Sequence, residues 1–295
     1  MFNFLDKIKG NPDFFRQLAL DDQLITQFNC PLETKKEKTW SEESYFVYVV
    51  EGKKIWHIPG KSYEMTEGKC IFVKKGAHII EQFFDSTFCV VIFFLSDSFI
   101  KETILSIQAS KLKISTQEYS SPISEIHADD SLHAFFNSVV PYFLDHQDAS
   151  KELLELKFRE LILNVISNPR NQELKNYFCS LLNDSYAESL RKTMEENFHS
   201  NLGLDEFARL CGRSLSAFKR DFEELYNTTP GRWLLNRRLQ HARLLIGSSS
   251  LSVSEIAFEC GFENNSHFSR AFKEHFGAAP VNFRQDKVKT LEQRN

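Results

Sequence analysis

Two arginines, Arg220 and Arg270, hold the same place in two copies of one phrase: FKRDFEELYNTTP from Phe218 to Pro230, and FSRAFKEHFGAAP from Phe268 to Pro280. Phenylalanine, arginine, phenylalanine, an aromatic and proline fall at matching offsets in both. The planar fork of an arginine makes two parallel hydrogen bonds to a paired acceptor, guanine O6 and N7 among them. If each phrase is a helix, a turn of about 100° per residue puts Phe218, Phe222 and Tyr226 within about 80° of arc. Arg220 then lies opposite their mean direction, with Ser216 beside it and Lys219 on its flank. The second copy places Phe268, Phe272 and Phe276 inside, and Ser266, Ser269 and Arg270 outside. An aromatic inner face with a short polar outer face suits a helix in a DNA major groove. The alternative is an exposed arginine on an ordinary amphipathic helix, and it weakens when the pattern occurs twice in register.

The elements that would hold these helices are legible upstream of each. In LGLDEFARLCGRSLSAFKRDF a helix from Leu204 to Cys211 stops at Gly212, which can turn left-handed at a bend, and Ser214 caps the next helix. VSEIAFECGFENNSHFSRAF repeats the grammar with Ser254 as cap, Ala257 and Cys260 as packing residues, Gly261 at the bend and Asn264 as second cap. Ala208 and Cys211 recur forty-nine residues on, the phenylalanines fifty, so the second turn is one residue longer. The two helix-turn-helix units are expected at about 202–226 and 252–276, with reading helices at 214–226 and 264–276.

At these residues the chain resembles the AraC/XylS family of bacterial transcription regulators, over about 190–285. The stretch AFECGFENNSHFSRAFKEHFGAAPVNFR is close to that family's C-terminal signature. The resemblance implies two helix-turn-helix units joined by a long helix, here Pro230 to Ile246, that enter successive major grooves of double-stranded DNA. It also implies a sequence-specific regulator, an activator as most members are, with RNA polymerase as a partner. Carried over by position, the base-reading slots fall on Ser216, Lys219 and Arg220, then on Asn265, Ser266, Ser269 and Arg270, with Ser214 and Asn264 opening the two helices. Two departures bear on the first unit: Ser216 is small where many members carry a larger side chain, and Glu223 and Glu224 near the outer face discourage deep insertion.

The rest of the chain is bounded by its length and composition. Its 295 residues are enough for two domains, and at 42% hydrophobic with 11 Gly and 8 Pro they read as globular. The 28 phenylalanines read as core filling. Six scattered cysteines, with no C-x-x-C pair, fit buried thiols of a reducing compartment. Net charge is −4, but unevenly shared: 20 Lys and Arg against 26 acids up to Ser185, then 16 against 14. The basic residues of the second part cluster in RWLLNRRLQHAR, a modest hint of anion binding. The N-terminus lacks a basic region and a long apolar run, so no signal peptide is expected. FCVVIFFL, Phe88 to Leu95, is too short to span a bilayer and fits a buried strand. The expected location is the cytoplasm.

From about Leu24 to Leu95 short strands and turn signals alternate, which predicts a small barrel or sandwich. From about 98 to 183 the period turns helical. In KELLELKFRELILNVISN the stripe is expected on Leu153, Leu156, Leu161 and Val165, and Asn168-Pro169 ends that helix. NDSYAES reads as the linker. The prediction is an α+β chain: a regulatory and dimerisation domain at 1–185, then an all-α DNA-binding domain at 186–295. The first part resembles the cupin-type regulatory domains often fused to this DNA-binding domain. That implies a small effector or a partner protein as its signal, and homodimerisation through the helices of 129–168, which could instead simply pack on the barrel. WHIPGKSYE and AHIIEQ supply His57, Glu64, His78 and Glu81 but no H-x-H, so neither metal nor cofactor is expected. Tyr48, Trp56, His57 and His78 are the candidates for an effector pocket. A cupin-type enzyme carrying a DNA-binding tail is the alternative reading.

Overall fold

A computed structural model describes residues 1–29, 34–83, 88–106, 121–143, 149–183 and 185–284. Cys30, Asp184 of the linker, part of the expected dimer region at 144–148 and the tail beyond 284 lie outside them. The chain divides into two compact units, Met1–Ser185 and Tyr186–Asn295. The class is α+β, a sheet-rich first unit followed by an all-helical second.

The first unit sets two sheets face to face. One holds β1 (Phe2–Asn3), β4 (Lys36–Ser41), β9 (Gly76–Gln82), β6 (Lys53–Ile58) and β7 (Lys61–Thr66), in that order. The other runs β11 (Ile123–Ile126), β8 (Cys70–Val73), β5 (Ser44–Glu51), β10 (Cys89–Leu95), β3 (Gln23–Asn29) and β2 (Arg16–Leu20). All pairings are antiparallel except β1 with β4.

The run FCVVIFFL is explained by burial on both sides of the second sheet. Val90, Ile92 and Phe94 point between the sheets with Tyr45, Val47, Trp56 and Tyr63. Val91, Phe93 and Leu95 point the other way, into a second core with Phe46, Phe72, Phe135, Phe136, Phe158 and Phe178. A strand buried on both faces loses its alternation, so it reads as continuous. This second core joins the sheet to α2 (Asp97–Ser106), α3 (Asp130–Val139), α4 (Lys151–Ser167) and α5 (Gln172–Leu181), while α1 (Phe4–Lys9) adds Phe4, Leu5 and Ile8 to the first core. Many of the phenylalanines are spent there.

Three expectations for this unit need correction. The strands begin before Leu24, at β1 and β2, and β11 interrupts the stretch expected to be helical from 98 to 183. A four-residue strand is too short to declare a period; pairing with β8 sets Ile123 in the core between the sheets and Ile126 in the core under the helices. The stripe of α4 is also different: Leu154, Phe158, Leu161, Ile162, Val165 and Ile166 are buried, whereas Leu156 is 62% and Leu163 40% exposed. The helix carries leucines on both faces, so periodicity alone could not choose the inner one.

The second unit contains α6 (Tyr186–Asn197), α7 (Leu204–Leu210), α8 (Leu215–Tyr226), α9 (Pro230–Ser248), α10 (Val253–Glu259) and α11 (Asn265–Phe276). Thr229 caps α9 and Pro230 opens it, which accounts for the proline that closes the repeated phrase. Among the described residues no helix is long and apolar enough to cross a membrane.

Candidate nucleic-acid interface

Both helix-turn-helix units close on the same backbone bonds. Arg213 N donates to Ala208 O at 2.9 Å, and Phe262 N to Ala257 O at 3.0 Å; Gly212 N donates to Arg209 O at 2.9 Å, and Gly261 N to Phe258 O at 3.1 Å. Gly212 and Gly261 take φ of +63° and +78°, the left-handed region that glycine enters without strain. Ser214 Oγ then accepts from Ala217 N, and Asn264 Oδ1 from His267 N. Each reading helix also ends left-handed, on Asn227 and on Gly277. The cap of α10 is a correction: Ser252 Oγ, not Ser254, accepts from Glu255 N, while Ser252 N donates to Glu255 Oε2. The S-x-x-E spacing of that capping box was present in the sequence.

The aromatic faces turn inward. Phe218, Phe222, Phe268 and Phe272 are fully buried, with Tyr226 and Phe276 half-buried at their ends. Phe222 and Tyr226 stack at 4.5 Å and meet Trp233 of α9; Phe272 and Phe276 meet Phe283. Opposite them stand the residues singled out for base reading. Ser216, Lys219 and Arg220 are exposed on α8, and Ser266 and Arg270 on α11, with Ser269 half-buried between them. Ser214 and Asn264 are occupied as caps. Asn265 is less free than its position in the sequence suggests, because its Nδ2 donates to Ser254 Oγ at 2.7 Å. Arg220 is held by Asp221, a residue the sequence reading passed over, with Nε and Nη2 at 3.2 and 2.9 Å from Oδ1. Among the described residues nothing holds Arg270 in the same way.

The basic cluster of α9 has mostly structural work. Arg238 donates to Phe198 O and Ser200 O at 2.7 and 2.6 Å, Arg237 pairs with Glu195 at 2.9 Å, and Arg243 lies over the rings of Phe276 and Phe283. These bonds clamp the 198–201 segment onto α9. His199 in that segment is half-buried, and its partial desolvation lowers its pKa to about 4, with the positive neighbours His241 and Arg238 adding to the shift. Folding therefore favours neutral His199, and its contribution is complete above the ordinary histidine pKa near 6.5. It is lost as pH falls from about 6.5 towards 4, by about 1.4 kcal/mol per pH unit. Urea titrations of a Tyr186–Asn295 fragment, followed by Trp233 fluorescence, are expected to show lower stability at pH 5 than at pH 7. His199→Gln should flatten most of that slope, leaving the smaller share of His241, whose pKa burial also lowers.

The four candidate effector residues do not converge. Neighbours on a strand face opposite ways, so Trp56 lies between the sheets while His57 lies outside. His78 is buried between the sheets, its Nε2 2.9 Å from Thr39 Oγ1 and in contact with the Tyr45 hydroxyl. Burial pushes its pKa down to about 3. His57 stands in a row on the outer face: Ser62 Oγ is 2.7 Å from Nδ1, Glu81 Oε2 is 2.9 Å from Nε2, and Lys36 meets Glu81 at 3.1 Å. That order of contacts is the order of a nucleophile, base and orienting acid. The four residues come one from each of four adjacent strands on a sheet face, however, so the row works as a cross-strand ladder. Tyr48 faces the helices, stacked on Phe136 at 4.1 Å with its hydroxyl 2.9 Å from His133 Nδ1. It lines an open cavity, of about 550 Å³, with Val50, Glu67, Gly68, His133 and Asn137.

Residues 44–177 match the family described as the ExsA N-terminal regulatory domain, and residues 207–286 match a helix-turn-helix domain family of the AraC type. Among curated proteins, the chain is similar to the HTH-type transcriptional regulator ExsA of Pseudomonas aeruginosa, 27% identical over 257 residues that cover 79% of this chain and 91% of the relative. It is similar to the thermoregulatory protein LcrF of Yersinia pestis, 26% identical over 263 residues, 85% of this chain and 92% of that one. It is also similar to the HTH-type transcriptional activator RhaS of Klebsiella pneumoniae, 31% identical over 147 residues, half of each chain.

Proposed function

The chain belongs to the AraC family of DNA-binding transcription regulators, an ExsA-type regulatory domain leading its helix-turn-helix domain, and we propose on that premise that α8 and α11 read two successive major grooves of double-stranded DNA. The observation that carries this reading is the repeated construction itself: the same turn bonds, the same buried phenylalanine pair and an outward arginine on each helix. Arg220 and Arg270 read base edges, Ser216, Ser266 and Ser269 permit close approach, and Lys219 lies near the backbone phosphates. Ser214 and Asn264 act through the caps that set the pitch of each helix. The protein activates transcription, in contact with RNA polymerase, and the first unit receives the signal, either a small effector at the Tyr48–His133 cavity or a partner protein. No catalytic step is assigned to the barrel; the curated relatives are transcription regulators.

Selection of binding sites from random duplex DNA tests the groove reading. The full chain and a Tyr186–Asn295 fragment are both expected to yield a motif of two sub-sites about ten base pairs apart. Failure of the fragment to bind any duplex would remove the arginines from the groove.

The same proposal makes the chain a homodimer through α4. Its inner face is committed to the sheet, and Leu156 and Leu163, seven residues apart on the outer face, are left exposed. Leu156→Glu with Leu163→Glu should convert a dimer to a monomer in sedimentation equilibrium while leaving the melting of the first unit nearly unchanged. A variant that sediments as the parent does would exclude this face.

A further inference from the structure

The two reading arginines are built differently. In the first helix-turn-helix Arg220 is followed by Asp221, whose side chain is only 17% exposed although Arg220 is 74% exposed. Both Nε and Nη2 of Arg220 reach Oδ1 of that carboxylate. The opposite oxygen, Oδ2, is 3.6 Å from Nε of Arg213 in the turn, and the Arg213 guanidinium lies 4.3 Å over the ring of Tyr186 at the start of α6. In the second helix-turn-helix the residue after Arg270 is Ala271, buried and without a polar group.

A guanidinium has five N–H donors in a fixed plane. A carboxylate that takes the Nε edge leaves the far edge, one N–H from each Nη, free and parallel. That edge matches the N7 and O6 acceptors of guanine. The carboxylate also restricts the rotamer freedom that a long exposed arginine would lose on binding, a loss of the order of 1 kcal/mol for such a side chain. From this geometry we propose that Asp221 is a positioning residue for base specificity: anchored by Arg213 and Tyr186, it aims Arg220 so that the first helix-turn-helix discriminates a single base sharply. The second helix-turn-helix, with Ala271 in that place, discriminates through an unbuttressed Arg270 that can also accept a neighbouring contact. The inference rests on the assignment of Arg220 to a base edge.

The test compares the full-length protein with Asp221→Asn, Arg220→Ala and the double variant on duplexes varied one base at a time. The readout is the ratio of the preferred base to the other three at the position Arg220 reads. Arg220→Ala is expected to abolish that preference. Asp221→Asn keeps size and removes the charge; it should lower the ratio about ten-fold, with no change at the position read by Arg270 and no loss of affinity for unrelated DNA. The double variant should match Arg220→Ala, because Asp221 acts through Arg220. Arg213→Gln should move the ratio in the same direction by less, and Asp221→Glu should restore part of it. If Arg220→Ala erases the preference while Asp221→Asn leaves it whole, the positioning role is overturned and the base contact stands. If Arg220→Ala itself leaves the preference whole, the base contact falls and the positioning role with it.

Discussion

Arg270→Ala is expected to weaken binding to the preferred site by about 5- to 150-fold, the equivalent of about 1–3 kcal/mol, and to relax base preference at one position of the second sub-site. Arg270 is exposed on α11, opposite Phe268 and Phe272, and it supports no other part of the unit among the described residues. Its removal therefore takes away a DNA contact without opening a core. The expected signature is selective: affinity falls on the preferred sequence and stays near the parent's on unrelated DNA. Lys219→Ala should behave in the opposite way, lowering affinity for every sequence alike and reducing the dependence on salt by about one counterion. Competition binding at two stated salt concentrations separates these patterns. If Arg270→Ala binds the preferred site as tightly as the parent does, α11 does not read DNA through that side chain.

What the sequence disclosed follows from how local each feature is. The turns of both helix-turn-helix units rest on glycine backbone geometry and on capping oxygens two or three residues away, and these are written into consecutive residues. Ser214 and Asn264 as caps, Gly212 and Gly261 as bends, and the start of α9 at Pro230 were legible for that reason. The long helix runs to Ser248, two residues beyond Ile246, and Ser249 N closes it on Leu245 O at 3.0 Å. Features decided by distant neighbours were not legible. Strand β11 exists through the free edge of β8, and the inner face of α4 was chosen by the sheet it covers. The arginines of RWLLNRRLQHAR read as a charge cluster, yet Arg238 is spent on two carbonyls of the 198–201 segment, some forty residues earlier in the chain. Trp56 and His57 could not share a pocket once β6 was a strand with one side facing the core. Asp221 was passed over because adjacent residues on a helix do not ordinarily face each other, and only the length of Arg220 lets the two meet.

Gly261→Ala is expected to cost the second helix-turn-helix about 2–5 kcal/mol, while Gly212→Ala costs the first about 1–2 kcal/mol. The two glycines occupy equivalent places and both have positive φ, so each substitution carries the left-handed penalty of about 1–2 kcal/mol. Their surroundings then separate them. A Cβ on Gly212 would meet nothing within 4 Å, whereas a Cβ on Gly261 would stand 2.8 Å from His199 O and 3.1 Å from Arg238 Nε. One of those neighbours is backbone and the other is held between two carbonyls, so neither can yield without loosening the clamp between α9 and the 198–201 segment. Overpacking of that kind adds about 1–3 kcal/mol. Urea unfolding of the Tyr186–Asn295 fragment measures both variants against the parent. A gap of at least about 1 kcal/mol between them assigns the excess to the close approach of the second turn. Equal losses would mean that the bend at Gly261 stands clear of His199, and that the second reader is positioned by its own helices alone.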